Sequence, residues 1–95
     1  MNNYESIILI AEKVEENKRN ELLEKIKNLI NEEGEITDVI DAGLRKLAYK
    51  VRKNENAYFY ELYFKTKPEI IVELERIYRI TDEIIKYITF KDVKK

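Results

Sequence analysis

The side chains that could do chemistry in this 95-residue chain are restricted, because it contains no histidine and no cysteine. Thiol nucleophiles, disulfides, thiolate zinc sites and histidine-based triads are therefore excluded. Carboxylates, lysine, arginine, threonine and tyrosine remain, and the sole serine, Ser6, lies in an apolar stretch with no base nearby in sequence. This inventory favours binding over catalysis. We predict that the protein is not an enzyme and uses neither a metal nor a cofactor.

The most informative charged feature is a basic run between residues 44 and 53, which contains no acid. Its five cations are Arg45, Lys46, Lys50, Arg52 and Lys53. The net charge of the chain is only −1, but the acids concentrate between residues 12 and 35. One side of the protein can therefore attract anions. Lysine and arginine neutralise phosphates and so position a protein on nucleic acid without reading its sequence.

The backbone that must position these side chains follows two hydrophobic periodicities. Alternation with period two indicates strands, and apolar residues spaced three or four apart indicate helices. The predicted strands cover residues 3–11, 36–51, 57–65 and 84–91, and the predicted helices cover 17–33 and Pro68 to about Ile80. Pro68 suits the first position of a helix, where its missing N–H costs nothing.

Glycines and polar residues mark the ends and interruptions of these elements. We expect Gly34 to end the first helix as a left-handed cap and Gly43 to mark a bulge or bend in the second strand. The polar residues 53–56 predict the turn of an antiparallel hairpin. Residues 93–95 read as a short tail.

The order βαββαβ predicts a single α+β domain over residues 1–95, with a four-stranded antiparallel sheet and both helices on one face. The other face of the sheet would then be open. Alternation along the strands gives this open face apolar and aromatic side chains, which is unusual for a lone soluble monomer. The predicted partner-protein surface is Ile7, Leu9, Phe59, Tyr63 and Tyr87.

Three other functions are known for domains of this element order. Acylphosphatase-like enzymes hold phosphate in a glycine-bearing loop after the first strand, but the corresponding loop here, residues 11–16, is acidic and has no glycine. A single-strand RNA binder would stack bases on Phe59 and Tyr63. A regulatory ligand-binding module would dimerise through its sheet. The residues exclude the enzyme and leave the other two open.

Nothing in the sequence predicts a membrane or secretory location. The apolar run of residues 7–11 is too short for a signal peptide and follows no basic segment. No stretch approaches the ~20 apolar residues of a membrane span. We therefore expect a cytoplasmic protein. Because strand-like sequence begins directly after Met1, we also expect the chain to be complete.

Residues 43–52, Gly-Leu-Arg-Lys-Leu-Ala-Tyr-Lys-Val-Arg, resemble a motif of the family of the sixth protein of the bacterial small ribosomal subunit. That motif runs glycine, any residue, basic, polar, leucine, alanine or serine, tyrosine, any residue, isoleucine, then a small or basic residue. Only Val51 departs from it, conservatively. Tyr4-Glu5 and residues 74–87 are also similar to the family, so the resemblance covers essentially the whole chain.

The resemblance implies a ferredoxin-like fold and a structural role in the small ribosomal subunit, supporting platform assembly and translation. It further implies binding to the central domain of the small-subunit ribosomal RNA as a heterodimer with the eighteenth small-subunit protein, without a cofactor or a small-molecule substrate. Candidate RNA contacts are the positions that match aromatic or basic positions of the family. These candidates are Tyr4, Arg45, Lys46, Arg79, Lys86 and Lys91.

Overall fold

A computed structural model describes residues 1–92 and contains six elements in the predicted order. They are β1 (Asn2–Ala11), α1 (Glu16–Glu33), β2 (Glu35–Val51), β3 (Asn54–Thr66), α2 (Pro68–Ile80) and β4 (Ile84–Lys91). The bounds of α2 and β4 agree with the sequence prediction, and β3 begins three residues earlier than predicted. The predicted tail, residues 93–95, lies outside the described part of the chain.

The four strands form one sheet in the order β2-β3-β1-β4, and every neighbouring pair is antiparallel. Both helices pack on the same face. From α1, the Nε of Arg19 donates a hydrogen bond to the Tyr60 hydroxyl at 3.0 Å. From α2, the ring of Tyr78 lies 5.2 Å from the ring of Tyr87 on β4. The predicted α+β sandwich is therefore confirmed.

The core lies between the helices and this face of the sheet. Ile8 of β1, Leu62 of β3 and Leu74 of α2 are completely buried, and Ile26 and Ile30 of α1 are at most 1% exposed. Full burial of one such side chain stabilises a fold by about 1.5–3 kcal/mol. The apolar residues that recur along the helices therefore pack against the apolar residues that alternate along the strands, in one core layer.

Gly34 connects α1 to β2, but not in the conformation that the sequence predicts. Its φ of −163° is extended, so the predicted left-handed cap is wrong. A Cβ at this position would lie 2.1 Å from the backbone oxygen of Lys65 and 2.9 Å from the Cβ of Thr66. Glycine is required here because the chain passes too close to β3 for any side chain.

The β2–β3 hairpin turns at Arg52 and Lys53, whose φ angles are 46° and 69°. Two consecutive left-handed residues are typical of a two-residue hairpin turn. Asn54 holds this turn, because its side-chain amide donates to the carbonyl oxygens of Val51 at 3.3 Å and Arg52 at 3.1 Å. The predicted turn over residues 53–56 is therefore misplaced, since β3 already begins at Asn54.

Gly43 produces the predicted bulge in β2. Its φ is +79°, and the β2–β3 register shifts between Asp41 and Gly43. Within residues 1–92, no helix combines the length and apolar character needed to cross a membrane.

Candidate RNA and partner interface

The sheet face opposite the helices is built from rows of side chains that cross β3, β1 and β4. Residues directly paired in an antiparallel sheet point to the same side. Two neighbouring rows on this open face are Tyr63–Glu5–Phe90 and Glu61–Ile7–Ile88. Ile88 is 48% exposed and Phe90 is 42% exposed. The open face therefore carries apolar side chains, as predicted, but they alternate with carboxylates.

Tyr87 does not belong to this face. It pairs with Ile8, which is completely buried in the core, and its ring packs beside Tyr78 of α2. The assignment of Tyr87 to the partner surface is therefore wrong. The β1–β4 register shifts after Leu9, and two consecutive buried isoleucines begin β4, so alternation alone does not identify its outer face.

Leu9 lies on the open face as predicted, but it is only 7% exposed. The end of the β2–β3 hairpin covers it. We call residues 47–51 the strap. Its first four residues form no ladder pairs, since the β2–β3 pairing passes from Lys46–Asn56 directly to Val51–Asn54. Leu9 is thus largely withdrawn from any partner.

The strap encloses a cavity of about 230 Å³ against the open face, lined in part by Ile7, Leu9 and Phe59. The strap contacts β4 through Tyr49. The Nζ of Lys86 donates a hydrogen bond to the Tyr49 hydroxyl at 3.1 Å and lies 5.4 Å from the centre of the ring. Ile7, Phe59 and Tyr63 remain partly exposed beside the strap.

A basic cleft forms where the hairpin turn, the end of α2 and the start of β4 meet. Its lining includes two arginines, Arg52 and Arg79, and the residues Tyr78, Ile84, Ile85, Lys86 and Tyr87. The side chain of Lys86 lies on the open face, where its Nζ donates to the Tyr49 hydroxyl. The cleft has a volume of about 370 Å³, and no acidic residue lines it. None of the three cations forms a salt bridge within residues 1–92. The fold has therefore brought Arg52 and Arg79 to one cleft from separate parts of the sequence, with Lys86 at its edge.

The structure brings together only two of the candidate RNA contacts, Arg79 and Lys86. Arg52 was not among the candidates, although it lies in the basic run of residues 44–53. The signal that could have identified it is its position at the turn of the hairpin. Lys91 lies at the opposite end of β4, five residues from Lys86, which is roughly 17 Å along an extended strand.

Arg45 and Lys46 are exposed on β2, on opposite faces of the sheet. Arg45 pairs with Ala57, which pairs in turn with Ala11, and this places Arg45 on the open face near the strap. Lys46 pairs with Asn56 on the helix side. The two residues cannot contact one flat surface together.

Tyr4 lies on the helix face and is 5% exposed. Its ring stacks on Phe64 with the centroids 5.8 Å apart. This burial contradicts the assignment of Tyr4 as an RNA contact, because its ring is covered by the core. Tyr4 matches an aromatic position of the family, but in this structure its ring packs in the core.

Carboxylates surround Tyr63 at the end of the open face away from the strap. A hydrogen bond to Glu5 raises the pKa of Tyr63, and the negative charges of Glu5, Glu61 and Asp38 raise it further. Lys65, which pairs with Asn3 and Glu35 in the next row, lies on the same face at this end, and the basic cleft lies at the other end of the sheet. Among the described residues, no group of three or more acids could hold a metal ion.

An α+β sandwich with one open sheet face, and with a basic cleft at one end of the sheet, defines a ferredoxin-like binding domain. A family model described as "Ribosomal protein S6" matches residues 3–91. This chain belongs to the ribosomal protein S6 family.

Relatives with known identities extend the match over almost the whole chain. The small ribosomal subunit protein bS6 of Caldanaerobacter subterraneus subsp. tengcongensis is 39% identical over 92 residues, covering 96% of this chain and 97% of the relative. The bS6 protein of Helicobacter acinonychis is 36% identical and covers 100% of this chain and 68% of the relative. The crystal structure of 30S ribosomal protein S6 from Thermotoga maritima superposes with a TM-score of 0.89, at 38% identity, over 95% of this chain and 86% of that chain.

Family membership confirms that the chain is a structural, non-enzymatic protein of the small ribosomal subunit in the cytoplasmic ribosome. It also accounts for the absence of a catalytic constellation in the sequence. The functional question is then which surfaces face the ribosomal RNA and which face a neighbouring protein.

Proposed function

We propose that this protein binds the central domain of the small-subunit ribosomal RNA together with the eighteenth small-subunit protein. The RNA backbone contacts the basic cleft, and the protein partner covers the open face of the sheet. The observation that carries this proposal is the convergence of Arg52 and Arg79 on one cleft that no described acidic residue lines, with Lys86 at its edge and its Nζ on the adjoining open face.

The cleft suits a phosphate for reasons of charge and geometry. Two guanidinium groups present planar forks of donors that match phosphate oxygens, and the lysine adds a compact charge. Arg79 lies in the last turn of α2, where the helix dipole favours a cation. Arg52 is presented by a short turn between two paired strands. The fold thus brings both arginines to one cleft in the absence of RNA.

The open face suits a protein because it offers half-exposed apolar side chains. Ile7, Phe59 and Tyr63 remain from the predicted partner surface, and Ile88 and Phe90 extend it. Apolar side chains grouped on one surface favour association with a partner. Arg45, Lys46 and Lys91 remain proposed peripheral RNA contacts, outside the cleft.

The test is a salt-titrated binding assay on an RNA fragment of the central domain, with and without the eighteenth small-subunit protein. Arg52→Ala, Arg79→Ala and Lys86→Ala combined should weaken RNA binding by about 10- to 100-fold. They should also reduce the steepness of its salt dependence, because each lost phosphate contact removes roughly 0.7–0.9 from the logarithmic slope.

The matched control replaces Lys18, Lys25 and Lys27 on α1 by alanine, which removes the same charge from residues that do not line the cleft. This control should retain wild-type binding. If both triple variants lost the same affinity and the same salt slope, the effect would be one of net charge and the cleft would not be the site. If the wild-type chain bound the fragment neither alone nor with the partner, the proposed function itself would be wrong.

A further inference from the structure

The strap, residues 47–51, is anchored to the hairpin at both of its ends. Lys46 pairs with Asn56 and Val51 pairs with Asn54, so four residues of β2 lie opposite a single residue of β3. These four residues have no pairing partners in β3. The middle of the strap can therefore move while the paired strands on both sides of it stay in place.

Little packing lies beneath the middle of the strap. A cavity of about 230 Å³ separates it from the open face. Leu47 is partly buried against the core, whereas Ala48, Tyr49 and Lys50 are exposed. A void removes the van der Waals contacts that a closely packed segment would make. Segments with few buried apolar contacts open at a low cost in free energy, and the strap has this character.

One polar contact joins the strap to β4. The Nζ of Lys86 donates a hydrogen bond to the Tyr49 hydroxyl at 3.1 Å and lies 5.4 Å from the centre of the ring, which is within the range of a cation–π contact. The ion pair of the strap, Lys50 with Glu55 at 3.8 Å, stays within the hairpin, and the two side chains are 68% and 67% exposed. Such an exposed pair contributes little, so we call the Tyr49–Lys86 contact the latch.

Leu9 lies beneath the strap, on the side of the sheet that no helix covers, yet it is only 7% exposed. We infer that the strap is a lid that opens locally, with the Tyr49–Lys86 contact as its latch, and that its opening exposes Leu9 without unfolding the domain. Opening also frees the Lys86 ammonium at the edge of the basic cleft. This inference concerns the isolated chain and does not depend on the proposed function.

A single introduced thiol can report the opening, because the chain contains no cysteine. The thiol lies under the strap in Leu9→Cys, in the core in Ser6→Cys and on the exposed part of the open face in Ile88→Cys. Its reaction with a soluble thiol reagent is followed at several urea concentrations below the unfolding transition. Leu9→Cys should react at least tenfold faster than Ser6→Cys and at least tenfold more slowly than Ile88→Cys. The rate in Leu9→Cys should depend only weakly on urea, because a local opening exposes little surface.

Tyr49→Phe in the Leu9→Cys background tests the latch. It should speed the labelling of the thiol about 3- to 10-fold, because the hydrogen bond is lost while the ring remains. Glu55→Gln is the matched control, since it removes the exposed ion pair of the strap and should change the rate by less than about twofold. An equal acceleration in the two variants would overturn the assignment of the latch.

Two results would overturn the lid itself. If Leu9→Cys reacted at the rate and with the urea dependence of Ser6→Cys, only global unfolding would expose this site. If it reacted as fast as Ile88→Cys, the strap would not cover it. Should Leu9→Cys fail to fold, tryptic cleavage of the wild type after Lys50 provides the test. Cleavage that varies little with urea supports local opening, whereas cleavage that accelerates with urea as steeply as global unfolding overturns it.

Discussion

At the scale of single residues, the two glycines of the chain are needed for different physical reasons. Gly43 has a left-handed φ of +79°, and a Cβ there would meet nothing within 4 Å. Gly34 has an ordinary extended backbone, and a Cβ there would lie 2.1 Å from the Lys65 backbone oxygen. One position requires glycine for its dihedral angle, and the other requires it for space.

Alanine substitutions should separate these two requirements. Gly43→Ala should lower the free energy of unfolding by about 1–2 kcal/mol, the cost of one left-handed residue with a Cβ. Gly34→Ala should cost about 3 kcal/mol or more, because the backbone of β3 or of the α1–β2 connection must move. Urea unfolding followed by circular dichroism measures both. Equal losses would show that the close approach at Gly34 relaxes easily.

At the scale of elements, the β2–β3 hairpin is the part of the fold that most directly serves the proposed RNA site. Its turn presents Arg52 to the cleft, and its bulge at Gly43 precedes the strap. Both turn residues adopt left-handed conformations that asparagine and glycine favour and that arginine and lysine do not. The hairpin therefore retains a cationic turn at a cost in stability.

Lys53→Gly should relieve part of that cost. Glycine has no Cβ, so at a φ of 69° it avoids the energetic cost that a left-handed conformation has for other residues. Glycine also loses more conformational entropy on folding, and the net increase in the free energy of unfolding should be about 0.5–1 kcal/mol. Thermal unfolding should show this as an increase of about 3–6 °C in Tm. Lys53→Ala is the control, since it removes the charge but keeps the Cβ. An equal gain in the control would attribute the effect to charge repulsion instead.

At the scale of the whole molecule, opposite charges are separated although the net charge is only −1. The cations of the cleft lie at the end of the sheet where β4 begins, and the carboxylates around Tyr63 lie toward the other end of the open face. Under the proposed function, this separation presents one surface to RNA and another to a protein. The core beneath the sheet also carries a titratable group, so global unfolding depends on pH.

Alkaline pH should destabilise the whole fold through Tyr78. Its side chain is 1% exposed, and burial raises the pKa of Tyr78 above its ordinary value. In the unfolded chain the phenol ionises near pH 10, whereas in the folded chain it stays protonated to higher pH. The contribution of protonated Tyr78 to the free energy of unfolding is therefore fully present below about pH 10. It is lost as the pH rises toward the pKa of Tyr78 in the folded chain.

Tyr78→Phe should flatten the fall in stability between about pH 9 and 11, measured by urea unfolding. At neutral pH the variant should be as stable as the wild type or more stable by about 1 kcal/mol. The buried Tyr78 hydroxyl has only a weak contact with Ser6, whose Oγ already shares a hydrogen bond with Thr89 Oγ1. Tyr49→Phe, at a side chain that is 65% exposed, is the control and should keep the wild-type slope. An unchanged slope in Tyr78→Phe would show that other groups control alkaline unfolding.

The local pattern of the chain was sufficient to predict the order of the elements, the helices on one face and the apolar open face. Those features follow from periodicity, which each segment carries by itself. The ribosomal family was also recognisable from residues 43–52, because that motif is contiguous. The side assigned to Ile7, Phe59 and Tyr63 follows from strict alternation within β1 and β3, and it agrees with the structure.

What the tertiary structure decided depends on contacts between segments distant in sequence. Tyr87 lies on the helix face because it pairs with the buried Ile8 of β1, and no pattern within β4 reveals that pairing. Gly34 is required because Lys65 and Thr66 of β3, which are distant in sequence, pass close to it. Arg52, Arg79 and Lys86 form one cleft only because the hairpin turn, α2 and β4 meet at one end of the sheet. A single segment encodes its own periodicity. The pairing register of two strands, and the meeting of residues from different elements at one site, depend on more than one segment and are determined only when the elements pack together.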